Sequence, residues 1–119
     1  MSPLEQLRSA IRLLSAMAEG QRRYLIEVGQ ITNFQAADEA TSVDELGLQF
    51  EDATYLVPQL VQDDVLSAKA VEHIENLNNI MLSLSGEKNA DFWTIKALYE
   101  DPRWAKIRTL ACDTLAAMT

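Results

Sequence analysis

Ser42-Val43-Asp44-Glu45-Leu46-Gly47-Leu48-Gln49-Phe50-Glu51-Asp52-Ala53-Thr54-Tyr55-Leu56-Val57-Pro58-Gln59-Leu60 is the stretch that decides the fold class. Val43, Leu46, Phe50, Ala53, Val57 and Leu60 recur at spacings of 3, 4, 3, 4 and 3. That is the repeat of one helix face, not the alternation of a strand. Ser42 with Glu45 three residues on reads as a capping box. Asp44 and Glu45 sit in the first turn, where acids suit the helix dipole. Pro58 lacks a backbone donor and crowds the residue before it, so a kink or break is expected near 54–57.

The same grammar recurs on both sides. Ser2-Pro3-Leu4-Glu5 is a helix start, with Ser2 as N-cap, Pro3 at the first position and Glu5 able to close a capping box. Leu4, Leu7, Ile11, Leu14 and Ala18 then form one stripe, which Gly20 ends or interrupts. Tyr24, Leu25 and Val28 suggest a second piece ending at Gly29. Residues 30–41 have no clear period and read as the longest loop, pinned by Ile31 and Phe34. After Asp63-Asp64, Ser67 caps a helix with stripe Val71, Ile74, Leu77, Met81 and Leu84, stopped by Gly86. A turn-rich piece with a brief helix spans 89–100. Asp101-Pro102 then opens the last helix, with stripe Trp104, Ile107, Ala111, Leu115 and Met118. The expectation is an all-α, compact bundle of four main helices plus one or two short ones, with no sheet, in a single domain over residues 1–119.

Composition agrees. Only 4 glycines and 3 prolines interrupt 119 residues, and 48% hydrophobic with 24% charged residues is ordinary for a globular chain. Cys112 is the only cysteine and lies in an apolar helical pattern, where a free thiol packs as a small hydrophobe. Glu5, Arg8 and Arg12 interrupt the leucines of the first 18 residues, unlike a secretory signal, and no stretch has the roughly 20 apolar residues of a membrane span. A cytoplasmic protein is expected.

The net charge of −8 is unevenly placed. Residues 1–37 carry +1, residues 76–119 carry 0, and residues 38–75 carry −9, with ten acids against Lys69 alone. Such a surface repels nucleic acid and anionic membranes, which are bound through Lys and Arg. It suits a basic protein partner, since charge complementarity speeds association. It also suits a face that does nothing but keep the chain in solution. The candidate partner-binding residues are Asp44, Glu45, Glu51, Asp52, Asp63 and Asp64, together with Trp93 and Trp104. The two tryptophans, with Phe92 and Tyr99, form the densest aromatic group. It reads either as a lid on one end of the bundle or as an interface anchor near Arg103 and Arg108.

Catalytic and metal chemistry find little footing. Di-iron bundles need Glu-x-x-His on two helices, and the one histidine, His73, has Ala70 three residues before it. The all-α nucleotide pyrophosphatases hold Mg²⁺ with Glu-x-x-Glu and Glu-x-x-Asp. Glu72 and Glu75 match the first half, and neither Glu87 nor Glu100 supplies the second. Adjacent acids such as Glu51-Asp52 point about 100° apart on a helix and do not readily share one ion. His73 and Cys112 both fall within helical patterns rather than at a reactive helix start. The four glycines, at 20, 29, 47 and 86, make no phosphate loop. No cofactor is expected.

The segments Asp91-Phe-Trp-Thr-Ile-Lys-Ala-Leu-Tyr-Glu-Asp-Pro-Arg-Trp104 and Ile107-Arg-Thr-Leu-Ala111, with Asp44-Glu-Leu-Gly-Leu-Gln-Phe-Glu-Asp52 and Leu56-Val-Pro-Gln-Leu60, resemble small acidic all-helical bacterial proteins of uncharacterised function, over about residues 42–115. The resemblance implies an all-helical cytosolic protein and carries over no catalytic residue. Compact acidic proteins of this kind are sometimes antitoxins for polymorphic toxins. The functional expectation is a non-catalytic protein-binding module, an immunity protein engaging a basic partner through residues 38–75. The alternatives are a homodimeric scaffold and a divalent-metal enzyme on the acidic helices.

Overall fold

The computed structural model describes residues 2–27 and 43–118. They form α1 (Pro3–Ser15), α2 (Ala18–Glu27), α3 (Asp44–Thr54), α4 (Val57–Gln62), α5 (Ala68–Ser83), a 3-10 segment (Glu87–Trp93), α6 (Ile95–Glu100) and α7 (Pro102–Ala117). No strand occurs among the described residues, so the all-α class is observed. Val28, Gly29, Ile31, Phe34, the 30–41 loop and the Ser42 cap lie outside the described residues.

Helix starts follow local chemistry. Ser2 Oγ accepts from the Glu5 N–H at 3.2 Å and Ser67 Oγ from the Ala70 N–H at 3.1 Å. Thr94 Oγ1 accepts from the Ala97 N–H at 3.0 Å, and Asp101 Oδ1 from the Arg103 N–H at 2.9 Å. Each satisfies a backbone donor the helix cannot, at about 1 kcal/mol. The Glu5 carboxylate does not close the expected box; it takes Arg8 Nη1 at 2.9 Å.

Two helix ends test the sequence reading, and the first differs from it. The first helix stops at Ser15, with Ala16 extended (φ −68°, ψ 154°), and Gly20 lies inside α2. Side chains take up the carbonyls freed there. Gln21 Nε2 donates to Leu13 O and Leu14 O at 3.1 and 3.2 Å, and Arg108 Nε donates to Ala16 O at 3.0 Å. Arg108 Nη2 also donates to Gln21 Oε1 (2.7 Å) and Leu98 O (2.6 Å), so one side chain ties α7 to the α1–α2 joint and to α6. Burial holds its guanidinium below its usual pKa. The second end is at Pro58, where the expected break is real. Tyr55 and Leu56 make tight bonds back to Asp52 O and Ala53 O, and α4 restarts with Pro58 in its first turn, where no donor is needed. Asp64 closes α4 in the left-handed region (φ 59°). Its N–H reaches Val61 O and the Val65 N–H reaches Leu60 O, both at 3.0 Å, the two bonds of a Schellman motif.

The stripes meet in one core. Leu7, Ile11 and Leu14 of α1, Leu46 and Phe50 of α3, Ile74 and Leu77 of α5, and Trp104, Ile107 and Ala111 of α7 are buried. Cys112 does not pack as expected. Ala111 and Thr114 hold the inward positions of that turn, and Cys112, about 100° round the helix, is exposed. The packed pairs are α3 on α1, α1 on α7 and α7 on α5. The ring closes between α5 and α3 over a much shorter stretch, and that side stands partly open.

Candidate functional site

The open side of the ring is a cleft of about 500 Å³. One wall is α3, through Asp44, Gly47, Leu48 and Glu51. The facing wall is α5 and its exit, through Asn78, Met81, Leu82 and Ser85. Both sets have the spacing i, i+3, i+4, i+7; on α3 this is one face of a helix over two turns, and on α5 it is the last turn of the helix with Ser85 just beyond its end. Glu87 and Ala90 of the 3-10 segment close one end, and Trp93 lies across the floor. Leu48 and Leu82 remain about half exposed, at 48% and 54%. The rim therefore carries Asp44, Glu51 and Glu87 around apolar walls, and among the described residues no Lys or Arg lines the cleft.

Trp93 is held there by several contacts. Its Nε1 donates to Leu84 O at 2.8 Å, at the end of α5. Its ring meets Phe92 edge-on at 4.9 Å and Trp104 edge-on at 5.7 Å between centroids. Phe92 in turn stacks on Trp104 at 4.4 Å, and Trp104 Nε1 donates to Phe92 O at 2.8 Å. Arg103 stands over the Phe92 ring at 5.1 Å and reaches Asp101 at 2.7 Å and Asp91 at 3.3 Å. The Arg103 side chain holds the Asp101 carboxyl below its ordinary pKa, against the opposing effect of burial. The indole of Trp93 fits only because residue 47 is glycine. A Cβ there would stand 2.8 Å from Trp93 Cη2 and 3.6 Å from Met81 Cε.

The sequence candidates fall into separate places. Asp44 and Glu51, two turns apart, face the cleft. Glu45 and Asp52, the parallel pair one residue on, do not line it. Glu45 is half-buried, accepts from Gln49 Nε2 at 2.9 Å, and stands near Tyr24. Desolvation first, and Glu45 second, raise the Tyr24 pKa. Asp63 and Asp64 lie at the end of α4, where Asp63 accepts from Gln59 Nε2 at 2.9 Å. Asp44, Glu51, Asp52, Asp63 and Asp64 are all exposed. The ion pairs among the described residues are those of Arg8 and Arg103, and none reaches these carboxylates.

The aromatic group divides too. Trp104 cannot serve as an interface anchor, because it is buried beneath Phe92 and Trp93. Tyr99 is not part of the cluster; its hydroxyl donates to Glu19 Oε2 at 3.2 Å, linking α6 to α2. Only Trp93 of the two proposed anchors reaches the cleft. Glu72 and Glu75 are exposed and His73 half-buried on α5. Among the described residues no group of three His, Cys, Asp or Glu is placed to hold a metal ion, and no helix is long and apolar enough to cross a membrane.

Sequence reasoning missed Leu48, Leu82, Asn78 and Glu87. Leu48 and Leu82 lie off the core stripes of their helices, and that displacement was the available signal. No protein-family model, curated protein or solved structure matches the chain. What fold and site together define is an all-α protein with an acid-rimmed apolar cleft on the open side of its helical ring.

Proposed function

We propose that this chain is a non-catalytic binding protein that engages a basic protein partner through its acidic α3–α4 surface, in the manner of an immunity protein blocking a toxin. The observation that carries the reading is that the carboxylates of Asp44, Glu51 and Glu87 rim an apolar cleft, and no ion pair among the described residues reaches them. Charge of one sign around an apolar patch gives a partner both steering and a place to bury surface. A partner recovered by crosslinking in cells and then purified should bind with a Kd that rises steeply with salt. Combining Asp44→Asn, Glu51→Gln and Asp52→Asn should weaken it about tenfold. Affinity indifferent to both salt and these changes refutes the reading.

The second reading is self-association. Tyr55, Val61 and Val65 are exposed apolar side chains within one short stretch around α4, and exposed apolar surface can pair with its symmetry mate. Sedimentation showing a monomer at micromolar concentration and above would end it.

A further inference from the structure

We infer that the cleft between α3 and α5 is a groove for a short amphipathic helix of a partner, with an apolar anchor seated over Trp93 and Lys or Arg side chains flanking it. The inference rests on the binding-protein reading above and names its site and the chemistry of the occupant.

The shape argues for a helix. The α3 wall presents one face of a helix over two turns, Asp44 to Glu51, and the facing wall runs from Asn78 through the last turn of α5 to Ser85 just past its end. Seven residues of helix span about 10 Å, the length of about two turns of a third helix laid between them. Helix-in-groove recognition works in this way, with anchors at i, i+3/i+4 and i+7. The walls offer Leu48, Leu82 and Met81, and methionine adapts its shape to different anchors.

The charge sets the polarity of the occupant. Asp44 and Glu51 on one wall and Glu87 at the end put three carboxylates on the rim, and no base among the described residues lines the cleft to answer them. An acidic helix would meet repulsion there, and an uncharged one would leave the rim without a counter-charge. A helix with basic flanks answers each carboxylate while burying its apolar stripe. The floor is preorganised, because Trp93 is fixed by its bond to Leu84 O and by Phe92 and Trp104 behind it.

The test uses the intact chain and three synthetic 14-residue peptides: a Leu stripe at helical spacing with Lys elsewhere, the same composition scrambled, and the Leu stripe with Glu elsewhere. Trp93 fluorescence reports binding, since Trp104 is buried. The Lys/Leu peptide should shift Trp93 emission to the blue, with the scrambled peptide at least about tenfold weaker and the Glu peptide silent. Leu82→Lys, at an exposed position that leaves the fold intact by circular dichroism, should weaken binding about tenfold or more. Asp44→Asn, Glu51→Gln and Glu87→Gln should each cost about two- to fivefold and flatten the salt dependence. Equal binding of the scrambled or Glu peptide, or no effect of Leu82→Lys, overturns the inference. So does a dimer in sedimentation that Leu82→Lys converts to monomer, which would give the groove to a second copy. A cellular partner lost on neutralising the acids but unaffected by Leu82→Lys overturns the groove alone and leaves the binding-protein reading standing. A partner indifferent to both overturns the two together.

Discussion

Gly47→Ala and Gly20→Ala are the same chemical change inside two helices, and the structure assigns them opposite signs. Either substitution gains helix propensity, up to about 1 kcal/mol over glycine. At Gly20 the new methyl would meet only Ala16 Cβ at 3.7 Å, an ordinary contact. Gly20→Ala should therefore stabilise by roughly 0.5–1 kcal/mol. At Gly47 the methyl would stand 2.8 Å from Trp93 Cη2 and 3.2 Å from Cζ3. The indole cannot simply swing aside, because that breaks the 2.8 Å bond to Leu84 O and the edge contacts to Phe92 and Trp104. Overpacking of this kind costs about 1–3 kcal/mol, which exceeds the propensity gain. The net expectation for Gly47→Ala is a loss of about 1 kcal/mol, leaving the two variants about 2 kcal/mol apart. Urea denaturation followed by far-UV circular dichroism measures both. The clash has a second signature: with Trp93→Leu in place, Gly47→Ala should become neutral or stabilising, a coupling of about 1–2 kcal/mol. If Gly47→Ala is as stabilising as Gly20→Ala, or the Trp93→Leu background does not change its sign, the close approach of α3 to Trp93 is wrong and the cleft floor with it.

Asp64→Gly should stabilise the fold by about 0.5–1 kcal/mol, because the left-handed backbone at φ 59° is free of strain only for glycine; a destabilised variant in thermal melts would deny the Schellman turn. Arg108→Met should cost about 3 kcal/mol, since Ala16 O, Gln21 Oε1 and Leu98 O all lose their donor. Lysine should recover only part of that, as it lacks the planar fork that serves three acceptors. Asp101 contributes to acid stability. Its folded pKa lies below the ordinary 3.8, so its contribution is full above that pH and is lost as pH falls through the lower folded value. Asp101→Asn should be less stable near neutral pH and lose less between pH 4 and 2, and an acid limb identical to the parent's would contradict the Asp101–Arg103 pairing.

The parts of the fold legible in the sequence are those set within a turn or two of chain. Ser2-Pro3, Ser67 and Asp101-Pro102 start helices where they stand, and the stripes through Ile11, Phe50, Ile74 and Ile107 point inward as their spacing requires. The break at Ala16 was not legible, because its carbonyl is satisfied by Arg108, 92 residues away. Gly20 carried the local signal for a stop, yet an exposed glycine in a helix costs less than the tie between α1, α2 and α7 contributes. Trp93 and Trp104 looked equivalent by composition. Only the stacking of Phe92 on Trp104 decides that one is core and the other floors a cleft. The cleft was half legible: Asp44 and Glu51 were named for their charge, but Leu48 and Leu82 acquire meaning only when α3 and α5 face each other.

The charge pattern bears on the choice between a solvating surface and a recognition surface. Solubility is served as well by mixed signs as by one sign, and residues 76–119 show the mixed solution, with five acids and five bases. In that region Arg103 answers Asp91 and Asp101. Residues 43–64 take the other course, with six acids and no base. Six like charges along α3, α4 and their turn repel one another in the folded state, a cost that interleaved lysines would remove. Solubility alone gives no reason to accept that cost beside an apolar cleft, because a lysine at position 44 or 51 would hydrate the rim equally well. A partner bearing the opposite charge does give one: the repulsion is relieved only in the complex, so part of the binding free energy is stored in the unbound surface. On this argument, replacing the rim acids by lysines should raise the stability of the free chain slightly while abolishing binding of a basic helix, and a purely solvating surface would show the first change without the second.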